Sequence, residues 1–224
     1  MKYMIGTGFF NSPHYPIPAA EFARVWAACV ARNARPKPQK IVMVTAAGGN
    51  PALPGVETIV CDGNLGNLAA GTMKYEWAGW MPPMIATAML AYNNECDFLY
   101  QEQDCLAFGN YVEQLYADMG DGQMVIGGPI AGMGMPATQS LFLVRHGYIW
   151  KFVRDYLNLG PDDNGNNQGE RKFHRLKLAS SGQIRVMSFG VERDRPIPWD
   201  APTFFAQQWT RDDFATAKAK GLIP

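Results

Sequence analysis

The stretch Asp97-Phe98-Leu99-Tyr100-Gln101-Glu102-Gln103-Asp104 decides how the chain is read. Asp97 to Tyr100 is short, apolar and aromatic, the composition of a strand, and it stops at four polar residues of which two are acidic. Carboxylates two apart just beyond a buried strand point in similar directions. They also sit where open α/β sheets bind ligands, outside the carboxyl ends of the strands. Glu102 and Asp104 are therefore oxygen donors suited to Mn²⁺ or Mg²⁺, which take one or two carboxylates together with phosphate oxygens and waters. The plain alternative is a solvated loop that caps the following helix, and the strand–helix order on both sides weighs against it.

Working outward, residues 2–10 read as a first strand. After a Pro-rich turn, apolar residues at Phe22, Val25, Trp26, Cys29 and Val30 mark one face of a helix. Residues 41–45 suit a strand buried on both faces, and Glu57–Cys61 a third strand leading into the turn-forming run Asp62-Gly63-Asn64-Leu65-Gly66-Asn67. A helix starts near Pro82-Pro83, where a first turn tolerates proline, and runs to about Asn93. Beyond the acidic pair come a helical period over residues 109–119, strands at 123–126 and 141–144, and a second helical period through Tyr148, Ile149, Phe152, Val153, Tyr156 and Leu157. Residues 161–169 are polar and turn-forming, residues 171–177 are basic, and a strand is expected near 183–189. The Arg/Pro/aromatic tail ends in a short helix capped by Thr210 and Asp213 and stopped at Gly221. Strands and helices that alternate in this way predict a mostly parallel sheet with helices on its faces.

Composition narrows the classes. Of 224 residues, 47% are hydrophobic and 18% charged, which excludes intrinsic disorder as the main state. Twenty basic residues balance twenty acidic ones, so the electrostatic footprint of a general nucleic-acid or anionic-membrane binder is missing. Cys29, Cys61, Cys96 and Cys105 form no CxxC pair and read as reduced thiols of a cytoplasmic protein. The N-terminal residues hold no signal-peptide h-region. The longest apolar stretch, residues 78–92, contains two prolines and is too short for a membrane span.

The order of these features resembles the GT-A fold glycosyltransferases, in which a nucleotide-binding half of alternating strands and helices ends in an Asp-x-Asp motif. Glu102-Gln103-Asp104 stands where that family places its motif, with Glu at the first acidic position, and the likeness spans about residues 1–155 in element order. It implies a three-layer α/β/α domain over residues 1–224 with a mostly parallel central sheet, residues 1–105 forming the nucleotide-binding half and 106–224 the acceptor side and tail. The implied activity is metal-dependent transfer of a sugar from a nucleotide-diphosphate donor to a glycan or other hydroxyl acceptor. In the family the second acid is usually the direct metal ligand, which assigns Asp104 to Mn²⁺ or Mg²⁺ and Glu102 to the metal or the ribose. His174 lies where some members supply a further metal ligand. The loops after the first and third strands usually hold the nucleotide, here Thr7, Gly8, Phe9 and Asn11, then Asp62 and Asn64, with Thr45 at the end of the second strand. Glu170, after the polar loop, is the implied general base of an inverting reaction, ahead of Asp162 and Asp163. Arg193 and Arg195 suit a leaving diphosphate, and salt bridges to Glu192 and Asp194 explain them equally well. A small acceptor half implies either a modest acceptor or a homo-oligomer.

Two rival classes stand beside this reading. Gly6-Thr7-Gly8-Phe9-Phe10-Asn11 is a near miss to the dinucleotide fingerprint of oxidoreductases, but the third glycine is absent and the Pro-rich segment delays the helix that should meet the pyrophosphate. A non-catalytic protein of the same fold, binding a glycan or a partner through its aromatic tail, is the other.

Overall fold

Largely apolar runs build the centre of the molecule, because a strand covered on both faces has no solvent side to keep polar. In the computed structural model, which describes residues 1–10, 16–46, 51–61, 81–130, 136–160, 169–191 and 193–224, these runs become β1 (Tyr3–Gly8), β2 (Lys40–Ala46), β4 (Asp97–Gln101), β6 (Met124–Gly127) and β7 (Thr138–Val144). β3 (Glu57–Cys61) and β8 (Ile184–Val186) close the two edges of a seven-stranded sheet ordered β3-β2-β1-β4-β7-β6-β8. β7 alone runs against its neighbours. The sheet is therefore mostly parallel, as the alternation of elements predicts.

Helices cover both faces. α1 (Ala19–Asn33) and α3 (Tyr111–Met119) bury Phe22, Trp26, Val112 and Leu115 against Tyr3, Ile5, Leu99 and Leu143 on one side. α2 (Met81–Asn93), α4 (His146–Asn158) and α5 (Gly169–Ala179) pack Met84, Ile149, Phe152 and Phe173 against Met4, Phe98 and Phe142 on the other. This is the expected three-layer arrangement. Phe173 anchors α5 through ring contacts with Phe142, Phe152 and Tyr156 at centroid distances of 5.0, 5.9 and 5.8 Å. Close approach of α2 to β1 requires Gly6, since a Cβ there would lie 2.3 Å from Thr87 Oγ1 and 2.8 Å from Phe98 Cε2.

Several elements depart from the sequence expectation. The first strand ends at Gly8 rather than Phe10, β7 begins three residues earlier than the apolar run 141–144, the strand expected near 183–189 shrinks to Ile184–Val186, and the basic segment is the helix α5. A second, two-stranded sheet pairs β5 (Leu106–Phe108) with β9 (Phe204–Ala206), joining the turn after β4 to the C-terminal part of the chain. Three-residue strands carry no periodicity to read. α6 (Arg211–Ala219) follows, closed at its start by the expected reciprocal capping box of Thr210 and Asp213. All four cysteines are free thiols. No helix among the described residues is long and apolar enough to cross a membrane.

Candidate active site

β1 is flanked by β2 on one side and β4 on the other, with α1 and α2 on opposite faces, so strand order reverses between β1 and β4. Such a switch point leaves a crevice at the carboxyl ends of the strands. Gly6 pairs with Tyr100, so Gly8 and Glu102 leave the sheet at the same level. Two hydrogen bonds fix the turn that carries the acids: the Phe10 N–H donates to Gln103 Oε1 and Gln103 Nε2 donates to the Phe10 carbonyl, both at 2.6 Å. A third runs from the Glu102 N–H to the Ser140 carbonyl at 2.8 Å.

Both acids converge on one amide. Gln207, the residue after β9, donates from Nε2 to Glu102 Oε2 and, at 3.1 Å, to Asp104 Oδ1. Its Oε1 accepts from Ser140 Oγ at 2.9 Å and from Arg193 Nε at 3.1 Å. Arg193 in turn lies 3.7 Å from Glu170 Oε1. Glu170, at the first turn of α5, is only 4% exposed. One connected network thus joins β4, β7, β9, α5 and the segment before β9. Three carboxylates and one guanidinium belong to it, an acidic balance that suits a divalent cation.

Burial of the Asp104 carboxyl pushes its pKa above the ordinary carboxylate value; the Gln207 hydrogen bond and the Arg193 charge pull the other way without cancelling it. Tyr100, enclosed beneath the acids, has its pKa driven well up by burial and then by the charges of Glu102 and Asp104, so its hydroxyl stays protonated. Oxygen donors from two carboxylates are the set that Mg²⁺ or Mn²⁺ uses when phosphate and water complete the shell. The chemistry of these residues fits such an ion, for which Glu102 and Asp104 would be the protein ligands.

The remaining expectations fall in different places. Thr7 and Thr45 are fully buried at the ends of β1 and β2, and Phe9 packs into the core, its N–H donating to the Val44 carbonyl at 2.8 Å. Gly8 lies at the crevice, where a Cβ would stand 3.0 Å from Pro83 and 3.8 Å from the Tyr100 hydroxyl. Asn11, Asp62 and Asn64 lie outside the described residues, as do Asp162, Asp163 and Glu192. His174 sits one turn after Glu170 on α5; among the described residues no three His, Cys, Asp or Glu side chains gather as a metal cage, so the structure does not bring His174 into one cluster with Glu102 and Asp104. Arg195 pairs with Asp213 at 2.9 Å and donates to the carbonyls of Gln207 and Gln208 at 3.3 and 3.1 Å. It thus ties the Gln207 backbone to the start of α6. Gln207 itself is missed by sequence reasoning, and its nearest signal is the polar pair Gln207-Gln208 interrupting an aromatic run.

The seven-stranded, mostly parallel sheet with helices on both faces is a GT-A-like fold, shared with solved glycosyltransferases and a putative nucleotide-diphospho-sugar transferase. Three solved structures show the likeness. Mouse xyloside xylosyltransferase 1, in its apo form, superposes with a TM-score of 0.55 at 10% identity over 88% of this chain and 88% of its own. A homologue, from Mycobacterium sp. strain JC1, of Mycobacterium tuberculosis rv0371c gives 0.50 at 14% identity over 97% and 95%. The apo form of the glycosyltransferase GlyE of Streptococcus pneumoniae TIGR4 gives 0.50 at 11% identity over 84% of this chain, which spans only 45% of GlyE. No protein-family model and no curated protein sequence matches the chain. At these identities the likeness carries the fold, and activity has to be argued from the site.

Proposed function

We propose that the protein is a glycosyltransferase that moves a sugar from a nucleoside-diphosphate donor to a hydroxyl acceptor and uses a divalent cation held by Glu102 and Asp104. The observation that carries this reading is the convergence of both carboxylates on Gln207 Nε2 at the crevice beside β1. The cation, when bound, offsets the charge that develops on the leaving diphosphate. Arg193 faces the same network and is suited to pair with phosphate oxygens through its planar fork. Gln103 and Gln207 hold the two acids in place. On this reading the nucleoside would enter the crevice beside Gly8, and the second half of the chain, through Glu170, would meet the acceptor.

In an inverting reaction the acceptor oxygen forms a bond to the anomeric carbon. The bond from that carbon to the β-phosphate oxygen breaks, and its electron pair leaves with the nucleoside diphosphate. The acceptor proton passes to the Glu170 carboxylate.

A thermal-shift panel of UDP, GDP, CDP and dTDP, each with and without Mn²⁺, tests the reading on wild type and Asp104→Ala. Ligand at about a hundred times its Kd stabilises the native state by about 2.7 kcal/mol, a rise of roughly 5–10 °C for a chain of this size. A rise of that order for one nucleotide, dependent on Mn²⁺ and lost in Asp104→Ala, is the expected result. No rise with any of the four sinks the transferase reading and leaves a non-catalytic protein on a transferase fold.

A further inference from the structure

The network accounts for Glu102, Asp104, Arg193 and Gln207, but it leaves two polar groups beside it unmatched. Gln139, the second residue of β7, is 8% exposed, and its Oε1 is buried without a hydrogen-bond partner. Its amide lies against the start of α5, with Cδ, Nε2 and Oε1 at 3.4, 3.5 and 3.6 Å from the position a Cβ would take on Gly169. Glu170 is the next residue. Its carboxylate is buried, and its ion pair with Arg193, at 3.7 Å, is longer than a charge-assisted hydrogen bond. One turn further along the same helix, His174 Nδ1 is also buried without a partner. Native structures rarely leave such groups unpaired, because each forfeits its hydrogen bond to water and gains nothing in return.

Gln139 Oε1 and the Glu170 carboxylate are both acceptors. A phosphate brings acceptors and negative charge, so it matches neither. A ligand rich in hydroxyl donors matches both, and the Gln139 NH₂ adds a donor for a hydroxyl oxygen. Resting on the transferase reading above, we propose that Gln139 reads a hydroxyl of the transferred sugar, next to the Glu170 carboxylate that takes the acceptor's proton and separate from the acids that hold the diphosphate. Gln139 is then a specificity residue: it contributes to binding the sugar and nothing to binding the nucleotide. Sites built to hydrogen-bond a substrate hydroxyl discriminate strongly, since the wrong ligand leaves their buried groups unpaired.

The test compares calorimetric titrations of wild type and Gln139→Met, in Mn²⁺, with the nucleoside diphosphate that binds in the panel and with its glucose, galactose, xylose and mannose conjugates. Methionine keeps the length and removes both hydrogen-bonding atoms. Wild type is expected to prefer one conjugate, and Gln139→Met to lose about 10- to 100-fold in affinity for it while its affinity for the diphosphate changes less than about twofold. The ligand-free variant should also melt no lower than wild type, because an unpaired buried group has been removed. An unchanged sugar preference overturns the assignment of Gln139 and leaves the transferase reading intact, as does an equal fall for diphosphate and conjugate. Failure of wild type to bind any of the diphosphates overturns both.

Discussion

Asp104 shows how the burial of a single carboxyl costs stability. Its carboxyl has a pKa in the folded protein above the ordinary value of 3.8, with burial the largest cause. For an acid shifted in that direction, the native state holds its proton to a higher pH than the unfolded chain does. Stability from this group is then full below pH 3.8 and falls as pH rises through the folded pKa, because above it the buried site must carry a charge. Asp104→Asn removes that slope while its amide oxygen still accepts from Gln207. Urea unfolding across a pH series should therefore find the variant more stable than wild type at neutral pH, with the difference shrinking as pH drops towards 3.8. A difference that is constant or grows on acidification would contradict the burial argument. A carboxylate kept where it costs stability is the usual sign of a functional position.

At the scale of elements, the site depends on how tightly α2 lies on β1. Gly6 leaves no side chain between them, and Thr87, opposite, turns its hydroxyl back to the Pro83 carbonyl at 2.7 Å. Gly6→Ala inserts a methyl group where Thr87 and Phe98 already stand, and overpacking of this kind costs about 1–3 kcal/mol. The melting temperature should fall by roughly 2–4 °C for each of those. Because Pro83 also closes over Gly8, the same substitution should weaken nucleotide binding, whereas Gly147→Ala, whose added Cβ meets nothing within 4 Å, should alter neither. Gly190 plays a comparable part near the site. Its φ is +99°, and a Cβ there would stand 2.0 Å from the Phe205 ring, so only glycine lets this segment lie on β9, where the Val191 N–H donates to the Phe205 carbonyl at 3.0 Å. That contact sets the path of the chain to Arg193.

Across the whole molecule, the sequence disclosed what is periodic or local and concealed what is distant. The apolar runs of β2 and β4, the helical spacing of α1, α3 and α4, and the Thr210–Asp213 cap were all readable because each is fixed by residues within a few positions of one another. Glu102, Asp104 and Glu170 were legible as candidates, since acids at a strand end and at a helix start stand out from their surroundings. Gln207 was not, because it meets Asp104 across 103 positions of chain and follows a three-residue strand. Orphaned atoms such as Gln139 Oε1 have no sequence signature at all.

The same contrast between covered and uncovered strands predicts how the molecule opens. β4 and β7 are buried along nearly their whole length between two layers of helices, while the edge strand β3 pairs, among the described residues, with β2 alone and leaves Val60 53% exposed. Amides in covered strands exchange only when the whole fold opens, and those on exposed edges through local openings that cost far less. Hydrogen exchange should find β4 and β7 slower than β3 by ~10³-fold or more, given global stabilities of about 5–15 kcal/mol. Ligand should add protection around Glu102 and Gln207, where the two halves of the chain meet, and leave β3 unchanged. Exchange in β3 as slow as in β4 would mean that something covers this edge in solution.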